Sequence, residues 1–340
     1  MSSVASIILA AGKGTRMKSS HPKVVFPLAD KPLIQRVVET AVKAECDLIN
    51  VVVGYQKETV IGAIDTDCEL LFSEQKEQNG TGHAVMVARD AMPNFEGEIF
   101  ILCGDVPLLR YETLTKMLNE HRAKKAACTV LTAFMDDPAM YGRIVRNADG
   151  NVDRIVEFKD ANPSQRSINE INTGIYCFNS KDLYSALDKL DNKNAQGEYY
   201  LTDTLEILNA ENKIVSSAVL DDFIEAAGVN SQEQLSELET AYYDKIKKHF
   251  LNNGVVIENP HSVIIGDEVE IENDVIIYAN TIIKGKSKIE TGAKIGSNCY
   301  IIDSIIEVNA ILEGFNIVKD STINQEEIMP FRSTSIEDYE

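Results

Sequence analysis

The segment ILAAGKGTRMKSSHPKV, Ile8–Val24, passes from an apolar run into a glycine turn and then into a cluster of cations. The preceding SVASIILA has the character of a buried strand, and Gly12 and Gly14 end it. Lys13, Arg16, Lys18 and Lys23 follow, and no Asp or Glu occurs before Asp30, although the 340-residue chain has a formal net charge of −20. So basic a loop in so acidic a chain suggests a bound anion; a solvated loop whose lysines serve solubility is the plainer alternative. A glycine turn at the carboxyl end of a first strand is where α/β sheets bind ligands. Its backbone N–H groups can approach an anion closely, Arg16 offers a planar fork for phosphate oxygens, and Lys23 a movable point charge. Two familiar phosphate loops are excluded. Gly12 and Gly14 stand too close for G-x-x-x-x-G-K-[ST], and Met17 occupies the third glycine position of G-x-G-x-x-G.

Outward from this loop, strand and helix patterns alternate. KPLIQRVVETAVKAE carries a helical apolar stripe at Leu33, Ile34, Val37, Val38 and Ala41, with Pro32 suited to a first turn. LINVVVG, CELLFSE, GEIFILCGD and ACTVLTAF read as strands; TGHAVMVARDAM and YETLTKMLNEHRAKKA read as helices. The alternation predicts an α/β, Rossmann-like domain with a mostly parallel sheet over residues 1–228. Within it, Asp149-Gly150 signals a hairpin between Gly142 and Phe158. A linker helix is expected over 229–253, with Ser231 and Gln234 at capping-box spacing and Leu235, Leu238, Tyr242, Ile246 and Phe250 on one face.

Beyond Gly254 isoleucine recurs every six residues, at Ile265, Ile271, Ile277, Ile283, Ile289, Ile295 and Ile301. The position four residues later is small or β-branched: Val269, Val275, Thr281, Ser287, Ala293, Cys299. A period of six fits neither an α-helix nor a simple hairpin sheet. It fits a parallel β-helix in which each hexad forms one side of a coil. The register slips by one after Ile301, giving Ile306 and Leu312, so roughly three triangular coils are expected over 254–324. A polar tail is expected over 325–340.

Composition narrows the function. A sequence pI near 4.7 argues against general nucleic-acid binding. Six scattered cysteines without a C-x-x-C pair, and five histidines at no ligand spacing, make a structural zinc site a poor reading. The amino terminus lacks a signal-peptide pattern and no apolar run approaches a membrane span, so a cytoplasmic protein with no membrane partner is expected.

ILCGDVP leaves Asp105 just past a buried strand, where a carboxylate suits Mg²⁺ or simply forms a turn. LAAGKGTRM followed by PKV resembles the signature of sugar-1-phosphate nucleotidyltransferases. EQKEQNGTGHA, CGDVPL, YGRIVR, IVEFKDA, EINTGIY, NAQGEYYLTD and GVN then come in the order and approximate spacing of bacterial UDP-N-acetylglucosamine pyrophosphorylases, whose C-terminal domain is a left-handed β-helix. The resemblance covers nearly the whole chain.

It implies a catalytic pair, Arg16 and Lys23, and a nucleotide site built from Leu9, Ala10, Ala11, Gly12, Gly14, Thr15, Gln75, Gly80, Thr81 and Gly104. It further implies a sugar site of Gly142, Glu157, Asn172 and Thr202, with Mg²⁺ held by Asp105 and Asn230. From spacing alone Asn230 would not be singled out, Gly80 and Thr81 could be no more than a helix cap, and Glu157 could be a surface charge. His83, inside the following helix, reads as structural. One departure is Cys103, where the family commonly has Tyr; a ring there could shape the sugar pocket. The implied reaction joins UTP and N-acetylglucosamine 1-phosphate to give UDP-N-acetylglucosamine and pyrophosphate. Longer relatives also acetylate glucosamine 1-phosphate on later coils bearing a catalytic His. Here the last His is His261, so that activity is expected to be absent and the β-helix to support a homotrimer. A nucleotidyltransferase for another sugar phosphate, or a non-catalytic regulatory subunit, are the rival readings.

Overall fold

Ser3–Leu9 (β1), Leu48–Val53 (β2), Leu70–Glu74 (β3) and Gly97–Cys103 (β4) run parallel, in the spatial order β4-β1-β2-β3. Cys128–Phe134 (β5), Arg143–Arg146 (β6), Val152–Val156 (β7), Glu170–Asn179 (β8) and Val215–Val219 (β9) extend the sheet to nine strands, seven of them ordered β9-β5-β8-β4-β1-β2-β3 and the other two branching off it, β6 paired with β8 and β7 with β6. This computed structural model describes residues 2–337, and the chain divides into two units, Met1–Leu235 and Ser236–Glu340.

Successive strand residues face opposite sides, and each side is buried under helices. Ile8, Val51, Phe100 and Leu102 pack with Ile34, Val37 and Val38 of α1 (Leu33–Lys43). Ile7, Val52, Ile99 and Ile101 pack with Val85 and Ala88 of α2 (Thr81–Ala91). This double cover explains why the strands read as unbroken apolar runs. It also leaves their carboxyl ends as the open edge. The strand–helix alternation did not reveal that β8 runs antiparallel to both β4 and β5. Nor did it reveal an irregularity in β8, where the pairing with β5 shifts register between Asn172 and Tyr176. The expected hairpin is present as β6-β7, with Gly150 at φ 82° in its turn.

In the second unit, three parallel sheets of five, five and four short strands form the β-helix. Ile264 pairs with Ile282 and Ile282 with Tyr300, steps of three hexads; Tyr300 then pairs with Ile317 and Ile317 with Thr334, one residue fewer each time. Ile265, Ile277, Ile283, Ile289, Ile295, Ile301 and Ile306 are fully buried in its core, whereas Ile271 is only partly buried against it. Corners fall on residues with positive φ, among them Asn280, Asn298, Asp303 and Asn309, side chains that tolerate the left-handed region.

The coil does not end at residue 324. Val318, Ile323 and Met329 continue the buried row, and strands persist to Thr334–Ile336. The segment expected to be a polar tail is therefore coil as far as it is described; residues 338–340 lie outside the described residues. The row was missed because Val and Met replace Ile and the coils shorten by a residue. Among the described residues no helix is long and apolar enough to cross a membrane.

Candidate active site

At the open edge, β1 gives way to the glycine turn. The Ala10 N–H donates to Val52 O at 2.9 Å and the Gly104 N–H to Leu9 O at 3.0 Å, fixing the turn to the ends of β2 and β4. Gln78 Nε2 donates to Ala11 O at 2.7 Å and ties the turn to the segment before α2. Gly14 sits at φ 66°, and a Cβ there would lie 2.5 Å from Lys23 Cβ. Only glycine lets the turn fold back against Lys23. The N–H groups of Gly12, Lys13 and Gly14 have no acceptor among the described residues, and a Cβ on Gly12 would meet open space. Such a row of free amides is an anion-binding surface. Lys13 lies over the Tyr55 ring, 5.2 Å from its centroid.

Three residues far apart in sequence meet beside this turn. Lys23 Nζ donates to Asp105 Oδ2 and, at 2.9 Å, to Asn230 Oδ1, which also accepts from Arg16 Nη2 at 2.8 Å. Asn230 is held by its own surroundings: its N–H donates to Gln234 Oε1 at 2.9 Å, at the start of α3 (Gln232–Asn252), and the Val229 N–H donates to Asp105 O at 2.9 Å. Gln234 thus caps with its backbone on Ser231 Oγ, 3.2 Å, while its side chain reaches Asn230 instead of Ser231. Two oxygens, one carboxylate and one amide, converge on a single ammonium. That donor chemistry fits a hard divalent cation, which favours oxygen ligands. No cluster of three or more His, Cys, Asp or Glu that could hold a metal is found among the described residues.

Two clefts flank the turn. One, of about 260 Å³, is lined by Leu9, Ala11, Gly12, Gln75, Gln78, Gly80, Thr81 and Glu198. Gln75 is buried there, its Nε2 3.0 Å from Gly80 O and 3.1 Å from His83 Nδ1, so His83 serves to orient Gln75. Gly80 has φ 103°, and a Cβ would strike Tyr199 O at 2.5 Å. Thr81 Oγ1 accepts from the Leu201 N–H at 3.2 Å. The other cleft, of about 250 Å³, shares Leu9 and Thr81 with the first and adds Cys103, Tyr141, Gly142, Glu157, Asn172, Gly174, Tyr176 and Thr202.

Its lining carries several polar groups. Burial pushes the Glu157 carboxyl above its usual range, and Thr202 Oγ1 donates to it at 3.3 Å. Burial drives the Cys103 thiol up to about 12, so it stays protonated, and Sγ donates to Gly174 O at 3.4 Å. Cys103 therefore contributes its side chain, not only backbone, to this cleft. The Asn172 N–H donates to Gly142 O at 2.9 Å, joining β8 to the hairpin.

All four residues expected at a sugar site line the second cleft, and Leu9, Ala11, Gly12, Gln75, Gly80 and Thr81 line the first. Ala10, Gly14, Thr15 and Gly104 belong to or brace the turn between them. Gln78, Tyr141 and Tyr176 were not singled out from the sequence. Tyr176 had a signal, since Asn172, Gly174 and Tyr176 alternate along one strand; Gln78 and Tyr141 had none.

A glycine turn with free amides, neighbouring cations and an adjoining polar cleft at the carboxyl ends of parallel strands is an arrangement suited to a phosphorylated ligand. Residues 5–226 match the nucleotidyl transferase family, and the chain belongs to that family. It is 45% identical over 301 residues to the "Bifunctional protein GlmU" of Geobacillus thermodenitrificans (strain NG80-2), covering 87% of this chain and 65% of that one. With the protein of the same name from Geobacillus sp. (strain WCH70) it shares 43% identity over 327 residues, 96% of this chain and 71% of that one. The chain thus spans about two thirds of the length of these curated relatives. Among solved structures, UDP-glucose pyrophosphorylase complexed with UDP-glucose superposes with a TM-score of 0.60 at 23% identity, over 72% of this chain and all of that one. That likeness is one of fold.

Proposed function

We propose that the chain is a uridylyltransferase that makes UDP-N-acetylglucosamine and pyrophosphate from UTP and N-acetylglucosamine 1-phosphate. The observation that carries this reading is the meeting of two adjoining clefts, sharing Leu9 and Thr81, beside the Lys23, Asp105 and Asn230 cluster. The uracil would enter the cleft of Gln75, Gly80 and Thr81. The N-acetylated sugar would enter that of Gly142, Glu157, Asn172 and Thr202, where buried donors and acceptors need partners.

The sugar phosphate oxygen attacks the α-phosphorus of UTP in line, and the bond to the β-phosphate oxygen breaks. The nucleophile is already an anion, so no general base is required. The chain's task is positioning and charge neutralisation. Amides of the Gly12–Thr15 turn and the Arg16 guanidinium hold the triphosphate; Lys23 balances negative charge where it gathers. Asp105 and Asn230 would hold a divalent cation, Mg²⁺, which would supply further neutralisation at the phosphates. Lys23, which rests on one oxygen of each, would be free to turn to the phosphates were a cation to take its place there.

The same reading assigns no acetyltransferase activity to these residues, a cytoplasmic location, no nucleic-acid or membrane partner, and assembly as a homotrimer through the β-helix. The test is pyrophosphate release from UTP with N-acetylglucosamine 1-phosphate, set against the glucose and glucosamine 1-phosphates. The N-acetylated sugar is expected to react fastest; a preference for another sugar phosphate would contradict the assignment.

A further inference from the structure

The Asn172 side chain is held on three sides. Its Oδ1 accepts from the Gly174 N–H at 3.0 Å, which settles which end of the amide is oxygen, because a backbone N–H cannot face the amide nitrogen. The Tyr176 hydroxyl lies across the other edge, 2.8 Å from Nδ2 and 3.0 Å from Oδ1. It accepts from one amide proton and donates to the oxygen. These contacts exist because β8 slips register between Asn172 and Tyr176, with Gly174 at φ 81°. The slip folds the strand so that a side chain, the backbone amide two residues on and the side chain four residues on converge. An asparagine amide has two N–H donors and an oxygen with two acceptor positions. Both acceptor positions and one donor are taken. The remaining N–H makes no bond among the described residues, and Asn172 lines the sugar-side cleft.

We infer that Tyr176 is a positioning residue that locks the Asn172 amide so that its free N–H faces the sugar, making the pocket select a substrate with an acceptor there, the carbonyl of an acylamino group, over one bearing an ammonium. This rests on the sugar phosphate reading above. Tyr176 is buried, 2% exposed, so its hydroxyl has no solvent alternative to this bond. Cys103 and Gly174 form the adjacent wall, and neither offers a second donor, since the Cys103 thiol hydrogen is spent on Gly174 O.

The experiment compares wild type, Tyr176→Phe and Asn172→Asp in steady-state kinetics with N-acetylglucosamine and glucosamine 1-phosphates, beside thermal melts. Loss of one positioning hydrogen bond in Y176F is expected to raise KM for the N-acetylated substrate about tenfold and narrow the preference over the amine about as much. KM for UTP should stay within about twofold, since the nucleotide contacts are untouched. Asn172→Asp, which replaces the donor by an acceptor, should abolish the preference. A wild-type preference in N172D, a wild-type sugar KM in Y176F, or equal rises in both KM values would overturn the inference. Should the wild-type chain not use N-acetylglucosamine 1-phosphate at all, the functional reading fails. The positioning claim is then decided by the crystal structure of Y176F. A rotated or split Asn172 amide upholds it, and an unchanged single orientation overturns it.

Discussion

At the scale of single residues, the proposed chemistry turns on the cluster around Lys23. Lys23, Asp105 and Asn230 are spread over most of the first unit, yet share a network closed by Arg16. Removing Lys23 takes away the ammonium that Asp105 and Asn230 share and leaves Asn230 Oδ1 to Arg16 alone, and removing Asp105 takes away the carboxylate that would hold a divalent cation. Each of Lys23→Ala and Asp105→Ala is expected to lower turnover at least about a hundredfold, the scale of one lost charge stabiliser in a preorganised site. Steady-state pyrophosphate release measures this, and near-normal rates in both variants would contradict the mechanism. Arg16 and Lys23 were legible in the sequence because cations in an acid-free loop stand out against a −20 background. Asn230 was not, since nothing local separates it from a helix-start asparagine. Its role depends on a contact across more than two hundred residues, and only the resemblance pointed to it.

At the scale of elements, the helix Asp203–Ala210 begins beside Thr202, one of the residues expected at the sugar. Its first residue, Asp203, has its carboxyl raised from 3.8 to about 6, chiefly by burial and then by Glu206, Asp191 and Asp160. Between these two values the folded protein holds a proton that the unfolded chain has released. Stability therefore falls as pH rises through that window and levels off above about 6. Asp203→Asn removes the titration, so it should raise the melting temperature at pH 7.5 and change it little at pH 4. A variant that melts lower than wild type at pH 7.5 would show that the charge is favourable there. The strands of the first sheet were legible because burial on both faces makes them continuous apolar runs. The antiparallel course of β8 and its register slip were not, because strand direction and bulges depend on which neighbour a strand finds. In the β-helix the period of six was plain while Ile marked every side. It faded where Val318 and Met329 took over, although the geometry of the coil continued.

At the scale of the whole molecule, the first unit has a hydrophobic core on each face of its sheet and the second has its own, and the residues assigned to chemistry all belong to Met1–Leu235. The second unit supplies a parallel coil for which assembly is the proposed role. A mass near three chains of 37.6 kDa in light scattering is expected, and a monomer at working concentration would contradict it. The central claim is that the acid-free turn cradles a triphosphate whose α-phosphorus is transferred to an N-acetylated sugar phosphate. It is tested most directly by incubating the chain with Mg²⁺, N-acetylglucosamine 1-phosphate and UTP labelled at the α-phosphate, then separating the products. The account predicts label in UDP-N-acetylglucosamine and unlabelled pyrophosphate, in equal amounts. Label left in UTP or released as UMP, or transferred only to a different sugar phosphate, would contradict it.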